Sequence, residues 1–408
     1  IECPDLQILL VDIAPDCDPA RIFTELLPRL EAVFEEQDML QARADGWFSP
    51  RIAALEAPAP EEAASLPVDG VHLVCGGAGA TGAHVVEWLA AKGVRHIVVT
   101  ARSAPGARVR AAHERLRLAG VDIRHVEADV ADEAAMATVL AGIDAENVPL
   151  RGVFHCAGIG LFDTLEELEE EHFSAVLRSK MQGSAVLHRL TEHRTDLAVF
   201  VLFSSISGVW GSRLQIHYGA ANAYQDALVR SRRARGLPGL SIAWGPWGGR
   251  GGLSDLEDNL LDLLRRARIH KFEPARGIAT LDRLVMGPGG NVVAVDVEWP
   301  AFAPLYRAFG RSDLLARVAP VLAGPVEGEH PDWSRLSEDE RRQTVGVFVD
   351  AALREVLKVD AGVLTDEADL IGLGLDSILV MDLARIVTRD LGLACPLRAI
   401  FENATPGR

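Results

Sequence analysis

The sequence predicts an α/β protein in which a doubly wound parallel sheet is followed by a small helical-bundle domain. Between residues 67 and 316, short apolar runs alternate with stretches of helical periodicity. This alternation is typical of a parallel sheet covered by helices on both faces. From residue 336 onward the periodicity is mostly helical. The 408 residues also exceed what one hydrophobic core usually organises, so more than one domain is expected.

The main segment contains seven runs with the length and composition of strands. They are Val71–Cys75, His96–Thr100, Asp122–Glu127, Gly152–Cys156, Ala198–Phe203, Leu240–Trp244 and Val292–Asp296. Helices are predicted between them, for example over Ala80–Lys92 and Gly106–Ala119. Before this segment, residues 1–66 hold a strand candidate at Leu6–Ile13 and a helical stretch near Ile22–Phe34. Residues 317–335 are rich in Pro, Gly, Ala and Glu and are predicted to be a linker to residues 336–408.

Composition excludes several classes of protein. With 58 acidic and 41 basic residues the net charge is −17, which disfavours nucleic-acid or anionic-membrane partners. No apolar run approaches the roughly 20 residues of a membrane span. The five scattered cysteines and the scattered histidines predict no disulfide framework and no metal site, as expected in the cytoplasm. The first residues have neither an initiator Met nor a signal peptide, so we expect a piece of a longer polypeptide.

A glycine-rich turn follows the first strand of the main segment. It contains Gly77-x-Gly79-x-x-Gly82 between a predicted strand and a predicted helix, which is the dinucleotide-binding pattern in its required context. Glycines there permit a tight turn and a close approach of the backbone to a pyrophosphate. The alternative is a tight turn without a ligand. The candidate binding residues are Gly76, Gly77, Gly79, Ala80, Thr81 and Gly82.

The end of the second strand favours NADPH over NADH. An NAD site typically has an acidic residue there, whereas a 2′-phosphate is accommodated by arginine. This chain has Arg102 and no acid in Val99-Thr100-Ala101-Arg102-Ser103. A guanidinium is a planar, permanently charged fork that suits a phosphate. The alternative is that Arg102 is a solvated loop residue.

Four polar residues form a pattern suited to ketone reduction. Ser205 ends a strand, Tyr218 and Asn222 share one face of the next helix, and Lys180 is one of only four lysines. A tyrosine hydroxyl has an ordinary pKa of about 10, so proton donation near neutral pH requires a nearby cation. Lys180 is the candidate cation, and Ser205 would polarise the carbonyl. Singly, each has a simpler explanation: packing for Tyr218, a helix N-cap for Ser205, and the surface for Lys180 and Asn222.

With these motifs, residues 67–316 resemble the ketoreductase domain of modular polyketide synthases, a Rossmann-like branch of the short-chain dehydrogenase/reductase superfamily. Asn222 stands where the superfamily signature Tyr-x-x-x-Lys has lysine, and polyketide ketoreductases show the same exchange, with the lysine at a position matching Lys180. The resemblance implies an NADPH site that includes Lys180 and Tyr218. It adds the following residues to that site: Asp129 and Val130 on the adenine side, with Ala157 and Gly158 after His155. Residues 1–66 resemble only the latter part of the structural subdomain that precedes such domains.

The resemblance also implies a stereochemical type. B-type enzymes carry a Leu-Asp-Asp stretch where this chain has Ile159-Gly-Leu-Phe-Asp163. A-type enzymes carry a tryptophan after the serine, which Trp210 matches. The A2 subtype has a histidine where Gln215 stands. The expectation is therefore an A1-type enzyme that forms an L-hydroxyl, with Trp210 and Gln215 steering the substrate; the alternative for Trp210 is simple packing.

Residues 336–408 resemble an acyl carrier protein. The run Gly372-Leu-Gly374-Leu-Asp376-Ser377-Ile378 precedes an apolar-striped helix. A serine at a helix start is ordinarily an N-cap, but the resemblance implies that Ser377 bears 4′-phosphopantetheine. It also implies a phosphopantetheinyl transferase and the other domains of the same synthase as partners.

These features together predict NADPH-dependent reduction of a carrier-bound β-ketoacyl thioester within a multifunctional enzyme of secondary metabolism. The alternative is a redox-silent scaffold or epimerase joined to a carrier domain. The charge distribution is compatible with a polyanionic cofactor, because residues 67–335 carry −2 of the −17, whereas residues 1–66 carry −10 and residues 336–408 carry −5.

Overall fold

The structure is a computed structural model that divides into two compact units. It describes residues 9–14, 16–29, 39–55, 65–212, 214–248, 264–265, 267–285, 287–308, 314–318, 331, 333–357, 359, 364–365, 368–370, 373, 375, 379–380, 383, 386–387 and 390–393. The first unit takes in the described residues of Leu55–Leu261 and Ile269–Val297. The second takes in those of Leu6–Ala54, Asp262–Arg268 and Glu298–Arg408.

The described residues form strands and helices with the following bounds. The strands are β1 (Leu10–Ile13), β2 (Met39–Arg43), β3 (Gly46–Phe48), β4 (Val71–Cys75), β5 (His96–Ala101), β6 (Asp122–Glu127), β7 (Leu150–His155), β8 (Val199–Ser205), β9 (Leu240–Trp244), β10 (Ile269–His270), β11 (Gly290–Ala294) and β12 (Asp296–Val297). The α-helices are α1 (Pro19–Leu26), α2 (Ala80–Ala91), α3 (Ala107–Leu118), α4 (Glu133–Asp144), α5 (Glu170–Leu177), α6 (Gly183–Thr191), α7 (Ser207–Trp210), α8 (Ile216–Ala234), α9 (Pro274–Val285), α10 (Trp299–Ala308) and α11 (Glu338–Leu357).

Seven strands of the first unit form one parallel sheet in the order β11-β9-β8-β7-β4-β5-β6. The chain builds outward from β4 through β5 to β6, then returns to the other side of β4 with β7. The order therefore reverses between β4 and β7, and ligands of such sheets bind where the order reverses, at the carboxyl ends of the strands. The fold class predicted from the sequence is confirmed.

Three strands of the sheet match their predicted bounds at both ends. β4, β6 and β9 have the predicted limits, and every residue of β4 and β9 is buried. Continuous apolar runs of this kind are expected for strands covered on both faces. The helices α2 and α3 also agree with the predicted stretches to within one residue at each end.

The ends of β5, β7 and β8 are shifted by one or two residues from the prediction, and β1 begins at Leu10 rather than Leu6. Two further elements differ in more than the position of an end. The strand predicted over Val292–Asp296 is divided, because the chain leaves the sheet after Ala294 and Asp296–Val297 pairs antiparallel with β10. The N-terminal helix ends at Leu26 and continues as a 3₁₀ turn, Leu27–Arg29. Pro28 lies in that turn and has no N–H to continue α-helical hydrogen bonding.

The second unit contains a small sheet and a helical cluster. The sheet has the order β1-β2-β3, with β1 parallel to β2 and β2 antiparallel to β3. The helical cluster buries Ala352 and Leu353 of α11 with residues between Leu364 and Leu391. Trp333 donates a hydrogen bond from Nε1 to the carbonyl oxygen of Leu391 at 2.9 Å, which fastens the start of this cluster to its end.

The described part of the chain contains neither a helix that could span a membrane nor a cluster of metal-ligating side chains. None of the helices described there combines the length and the hydropathy needed to cross a membrane. No group of three or more His, Cys, Asp or Glu side chains in the same residues is arranged to hold a metal ion.

Candidate active site

The glycine-rich turn between β4 and α2 is closed by backbone hydrogen bonds. Gly76 has φ +83° and donates its N–H to the carbonyl oxygen of Thr100 at 2.7 Å, while Gly79 donates to the carbonyl oxygen of Gly76 at 3.0 Å. A Cβ added at Gly82 would lie 2.3 Å from that same oxygen of Gly76. The turn therefore requires glycine at position 76, because of its positive φ, and at position 82, because a side chain there would collide with the backbone. It brings the start of α2 to the carboxyl edge of the sheet, where a phosphate can accept from helix N–H groups.

Other predicted cofactor residues lie beside this turn. A Cβ at Gly76 would be 2.6 Å from the backbone nitrogen of Ala157, so these two segments are in close contact. A Cβ at Gly158 would be 2.7 Å from Cε of Lys180. Gly79 and Gly158 are exposed, and Ala80, Thr81 and Ala157 are partly exposed. The residues present thus form a narrow cradle, without side chains in the way, of the kind a dinucleotide requires.

Charged residues line the far end of the cradle, after β5 and β6. Arg102 is exposed, and Val130 is buried. Burial raises the pKa of the Asp129 carboxyl, but the hydrogen bond from Ala131 N–H, the Arg178 guanidinium and the charge of Arg102 outweigh it and hold the pKa below its ordinary value. Asp129 accepts from Ala131 N–H at 2.9 Å and from Arg178 Nε at 3.0 Å. Asp129 is therefore an ionised carboxylate that is held in place by Arg178 and interacts with the charge of the exposed Arg102.

Lys180 lies in a single π-helical turn, Arg178–Gln182, between α5 and α6. Its side chain is buried, with 4% exposure, and Nζ donates a hydrogen bond to the carbonyl oxygen of Phe203 in β8 at 2.5 Å. Nζ is also 5.4 Å from the ring centroid of Tyr218. π-Helical turns are rare and occur frequently at functional sites. The alternative that Lys180 is a surface charge is therefore wrong.

Tyr218 and Asn222 face the end of β8 from helix α8. Asn222 is fully buried and donates from Nδ2 to the carbonyl oxygen of Tyr218 at 2.7 Å. Its Oδ1 is buried without a partner among the described residues, so it can accept from a further donor. Ser204 donates from Oγ to the carbonyl oxygen of Asn222 at 3.3 Å, which attaches α8 to β8.

Ser205 is held close to the same helix by tight backbone packing. A Cβ at Gly219 would lie 2.9 Å from the carbonyl oxygen of Ser207, and a Cβ at Gly208 would lie 2.8 Å from the nitrogen of Ala223. The turn after Ser205 and the first turns of α8 therefore approach each other backbone to backbone. The structure brings Ser205, Tyr218, Lys180 and Asn222 together at the carboxyl end of β8.

The two predicted steering residues lie in the chain between Ser205 and Tyr218. Trp210 ends α7 and is buried, with 4% exposure. Gln215 is partly exposed at the start of α8, and its carbonyl oxygen accepts from Gly219 N–H at 2.7 Å. Ser377, the predicted attachment residue, lies outside the described residues.

Several buried polar groups at the site were not predicted from the sequence. Gln225 donates to Ser184 Oγ at 2.8 Å, and Ser184 Oγ donates to the carbonyl oxygen of Lys180 at 2.6 Å. Burial, and then repulsion by Lys180, lower the pKa of His155 to about 3, so its imidazole is neutral. Burial raises the pKa of the Asp226 carboxyl, although a hydrogen bond from the Ser241 hydroxyl opposes it. The available signal was helical spacing, since Gln225 and Asp226 lie three and four residues after Asn222 on α8.

Comparisons with known proteins agree with this geometry. Residues 70–249 match the family described as “KR domain”, and residues 348–408 match the family described as “Phosphopantetheine attachment site”. Polyketide synthase GfsA of Streptomyces halstedii is 36% identical over 422 residues, which cover 100% of this chain and 6% of that protein. The chain therefore spans only a small part of the length of this curated relative.

Solved structures are similar over most of the chain. An A1-type ketoreductase has a TM-score of 0.70 and 36% identity, over 78% of this chain and 66% of that chain. The ketoreductase PlmKR1, from the first module of phoslactomycin biosynthesis in Streptomyces sp. HK803, has a TM-score of 0.66 and 31% identity, over 76% of this chain and 70% of that chain.

Substitution of Gly82 tests whether the tight turn holds a nucleotide. In Gly82→Ala the new Cβ meets backbone atoms of Gly76 and Gly77, so the turn must open, and we expect dinucleotide affinity to fall about tenfold or more in a calorimetric titration. The control is Gly142→Ala, where a Cβ meets none of the described atoms within 4 Å. It should leave affinity unchanged and raise stability by about 0.5–1 kcal/mol. Equal affinity of Gly82→Ala and wild type would contradict the assignment.

Proposed function

The chain belongs to the ketoreductase family of modular polyketide synthases and carries a phosphopantetheine attachment domain, and we propose that it reduces a carrier-bound β-ketoacyl thioester to a β-hydroxyacyl thioester with NADPH. One observation carries the proposal. Lys180 is buried, and its Nζ is 5.4 Å from the ring centroid of Tyr218, beside the strand end that bears Ser205. A proton donor, a cation and a hydroxyl thus converge next to the glycine cradle.

The chain's residues would divide the work as follows. Tyr218 donates its proton to the β-carbonyl oxygen as negative charge develops there, and Lys180 favours release of that proton by stabilising the phenolate. Ser205 donates a hydrogen bond to the same oxygen and polarises the carbonyl. Asn222 donates to the carbonyl oxygen of Tyr218 one turn earlier in the same helix, and its buried Oδ1 is available to the Lys180 ammonium or to a water molecule.

The cofactor would lie along the carboxyl edge of β4, β5 and β6. NADPH, when bound, supplies the hydride for the β-carbon. The residues from Gly76 to Gly82 would hold the pyrophosphate, Arg102 the 2′-phosphate, Asp129 and Val130 the adenine side, and Ala157, Gly158, Lys180 and Tyr218 the nicotinamide end.

We further propose an A1-type stereochemical course with an L-hydroxyl product. The similarity to a solved A1-type ketoreductase supports it, as do Trp210 and Gln215 in the segment between Ser205 and Tyr218. We also propose four segments: a partial structural subdomain (1–66), the reductase (67–316), a linker (317–335) and the carrier (336–408). The family matches at 70–249 and 348–408 lie within the second and fourth of these.

Removal of one hydroxyl tests the reaction. We expect Tyr218→Phe to lower kcat by about 10²- to 10⁴-fold, because the general acid is lost. Tyr224→Phe, on the same helix and partly buried against the core, should stay within about twofold of wild type, as expected for a phenol outside the chemistry. The assay follows NADPH oxidation with a β-ketoacyl thioester, and chiral chromatography gives the product configuration. Cofactor binding without oxidation by the wild type would instead support a redox-silent scaffold.

Cofactor preference depends on the charge of Arg102. In Arg102→Gln the 2′-phosphate loses a charge-assisted hydrogen bond, so KM for NADPH should rise about ten- to hundredfold. KM for NADH should stay unchanged, because NADH has no 2′-phosphate. Arg115→Gln removes an exposed charge near the other end of α3 and serves as the control. Parallel weakening of both cofactors in Arg102→Gln would mean that Arg102 does not read the 2′-phosphate.

Attachment of 4′-phosphopantetheine to Ser377 is tested by measuring the mass of the chain. Incubation of the chain with coenzyme A and a phosphopantetheinyl transferase should add the mass of one 4′-phosphopantetheine. Ser377→Ala should abolish the addition, whereas Ser337→Ala, which removes the only other serine of residues 336–408, should retain it. Modification of the Ser377→Ala chain would place the attachment elsewhere.

A further inference from the structure

Ser207 makes two contacts with the hydroxyl group of Ser205. Its own hydroxyl donates to Ser205 Oγ at 3.0 Å, and its backbone N–H donates to the same oxygen at 3.3 Å. Ser207 is buried, with 4% exposure, whereas Ser205 is partly exposed at the strand end. Ser205 therefore lies between a buried pair of donors and the open side of the site.

The position of Ser207 is fixed by backbone contacts on both sides. Ile206 donates its N–H to the carbonyl oxygen of Trp244 at 3.0 Å, which fastens the turn to the end of β9. On the other side, the carbonyl oxygen of Ser207 lies against Gly219, where a Cβ would be 2.9 Å away. Gly219 directly follows Tyr218. The donors of Ser207 are thus held in register with both the strand and the helix of the site.

The chemistry of a hydroxyl group determines in which direction the hydrogen bonds of Ser205 Oγ run. A serine hydroxyl has one proton to donate and two lone pairs that accept. When Ser207 supplies two donors to Ser205 Oγ, the accepting capacity of that oxygen is used, and its proton is left to be donated. Accepting a hydrogen bond also polarises the O–H bond and strengthens the bond it donates.

We propose that Ser207 is a positioning residue, which holds Ser205 Oγ as an acceptor so that the Ser205 proton is directed at the carbonyl oxygen of the β-ketoacyl thioester. This inference rests on the proposed reduction. The sequence left two explanations of Ser205 as alternatives, a helix N-cap and a group that polarises the substrate carbonyl. Both can hold at once. Capping a helical turn uses the lone pairs of Oγ to accept an N–H, whereas polarising the carbonyl uses the hydroxyl proton.

The test is a double-mutant cycle in the full chain with NADPH and a β-ketoacyl thioester. Ser207→Ala removes the hydroxyl donor and keeps the N–H donor, so kcat should fall roughly three- to tenfold, with KM unchanged for both substrates. In a Ser205→Ala background the same substitution should change kcat by less than about 1.5-fold, because its target is gone. Thermal unfolding of each variant separates this effect from a loss of folded protein.

The outcomes distinguish this inference from the proposed function. Equal loss of kcat in both backgrounds, or no loss in either, would overturn the role of Ser207 while leaving the reduction intact. A wild-type chain that does not reduce the thioester, or a Ser205→Ala variant with full activity, would overturn the proposed chemistry and the Ser207 role with it. A lower unfolding temperature without coupling to Ser205 would assign Ser207 to packing alone.

Discussion

The arrangement of the site depends on one hydrogen bond, from the buried ammonium of Lys180 to the carbonyl oxygen of Phe203. A buried charge is very unfavourable unless hydrogen bonds replace its lost hydration, so the π-helical turn that carries Lys180 must stay against β8. Ser184 and Gln225 extend the connection to α8. The cation, the strand end and the helix that bears the phenol are therefore positioned by the same polar contacts, and a shift of one displaces the others.

Much of the fold could be predicted from the sequence because its central strands are buried on both faces. Such strands are mostly apolar runs, and β4 and β9 begin and end where those runs do. The edge strand β6 also has its predicted limits, although its two end residues are polar and exposed. The division of the last run into β11 and β12 could not be predicted in this way. It depends on a pairing with β10, which is distant in sequence and only two residues long.

For the site, residue identity was predictable and hydrogen-bond partners were not. The scarcity of lysine, the spacing of Tyr218 and Asn222, the strand-end Ser205 and the upstream glycine turn together indicated the candidate group, and the family resemblance supported Lys180 as its cation. The bond from Asn222 to the backbone of Tyr218, and the donors of Ser207 on Ser205, depend on backbone separations that must be right to within a few tenths of an ångström. Those distances are set by glycines such as Gly219, whose role becomes visible only when the neighbouring backbone is in place.

The π-helical turn Arg178–Gln182 has a consequence for how this part of the chain can vary. Each residue of an α-helix rotates the chain by about 100°. Removing one residue here, and so converting the wide turn to an ordinary one, would swing Lys180 away from β8 even though every side chain remained. Exposed positions of α5 and α6 can therefore exchange side chains freely, whereas the number of residues between them is fixed. Insertions and deletions are excluded from this stretch by geometry, independently of any chemical role of the residues that they would add or remove.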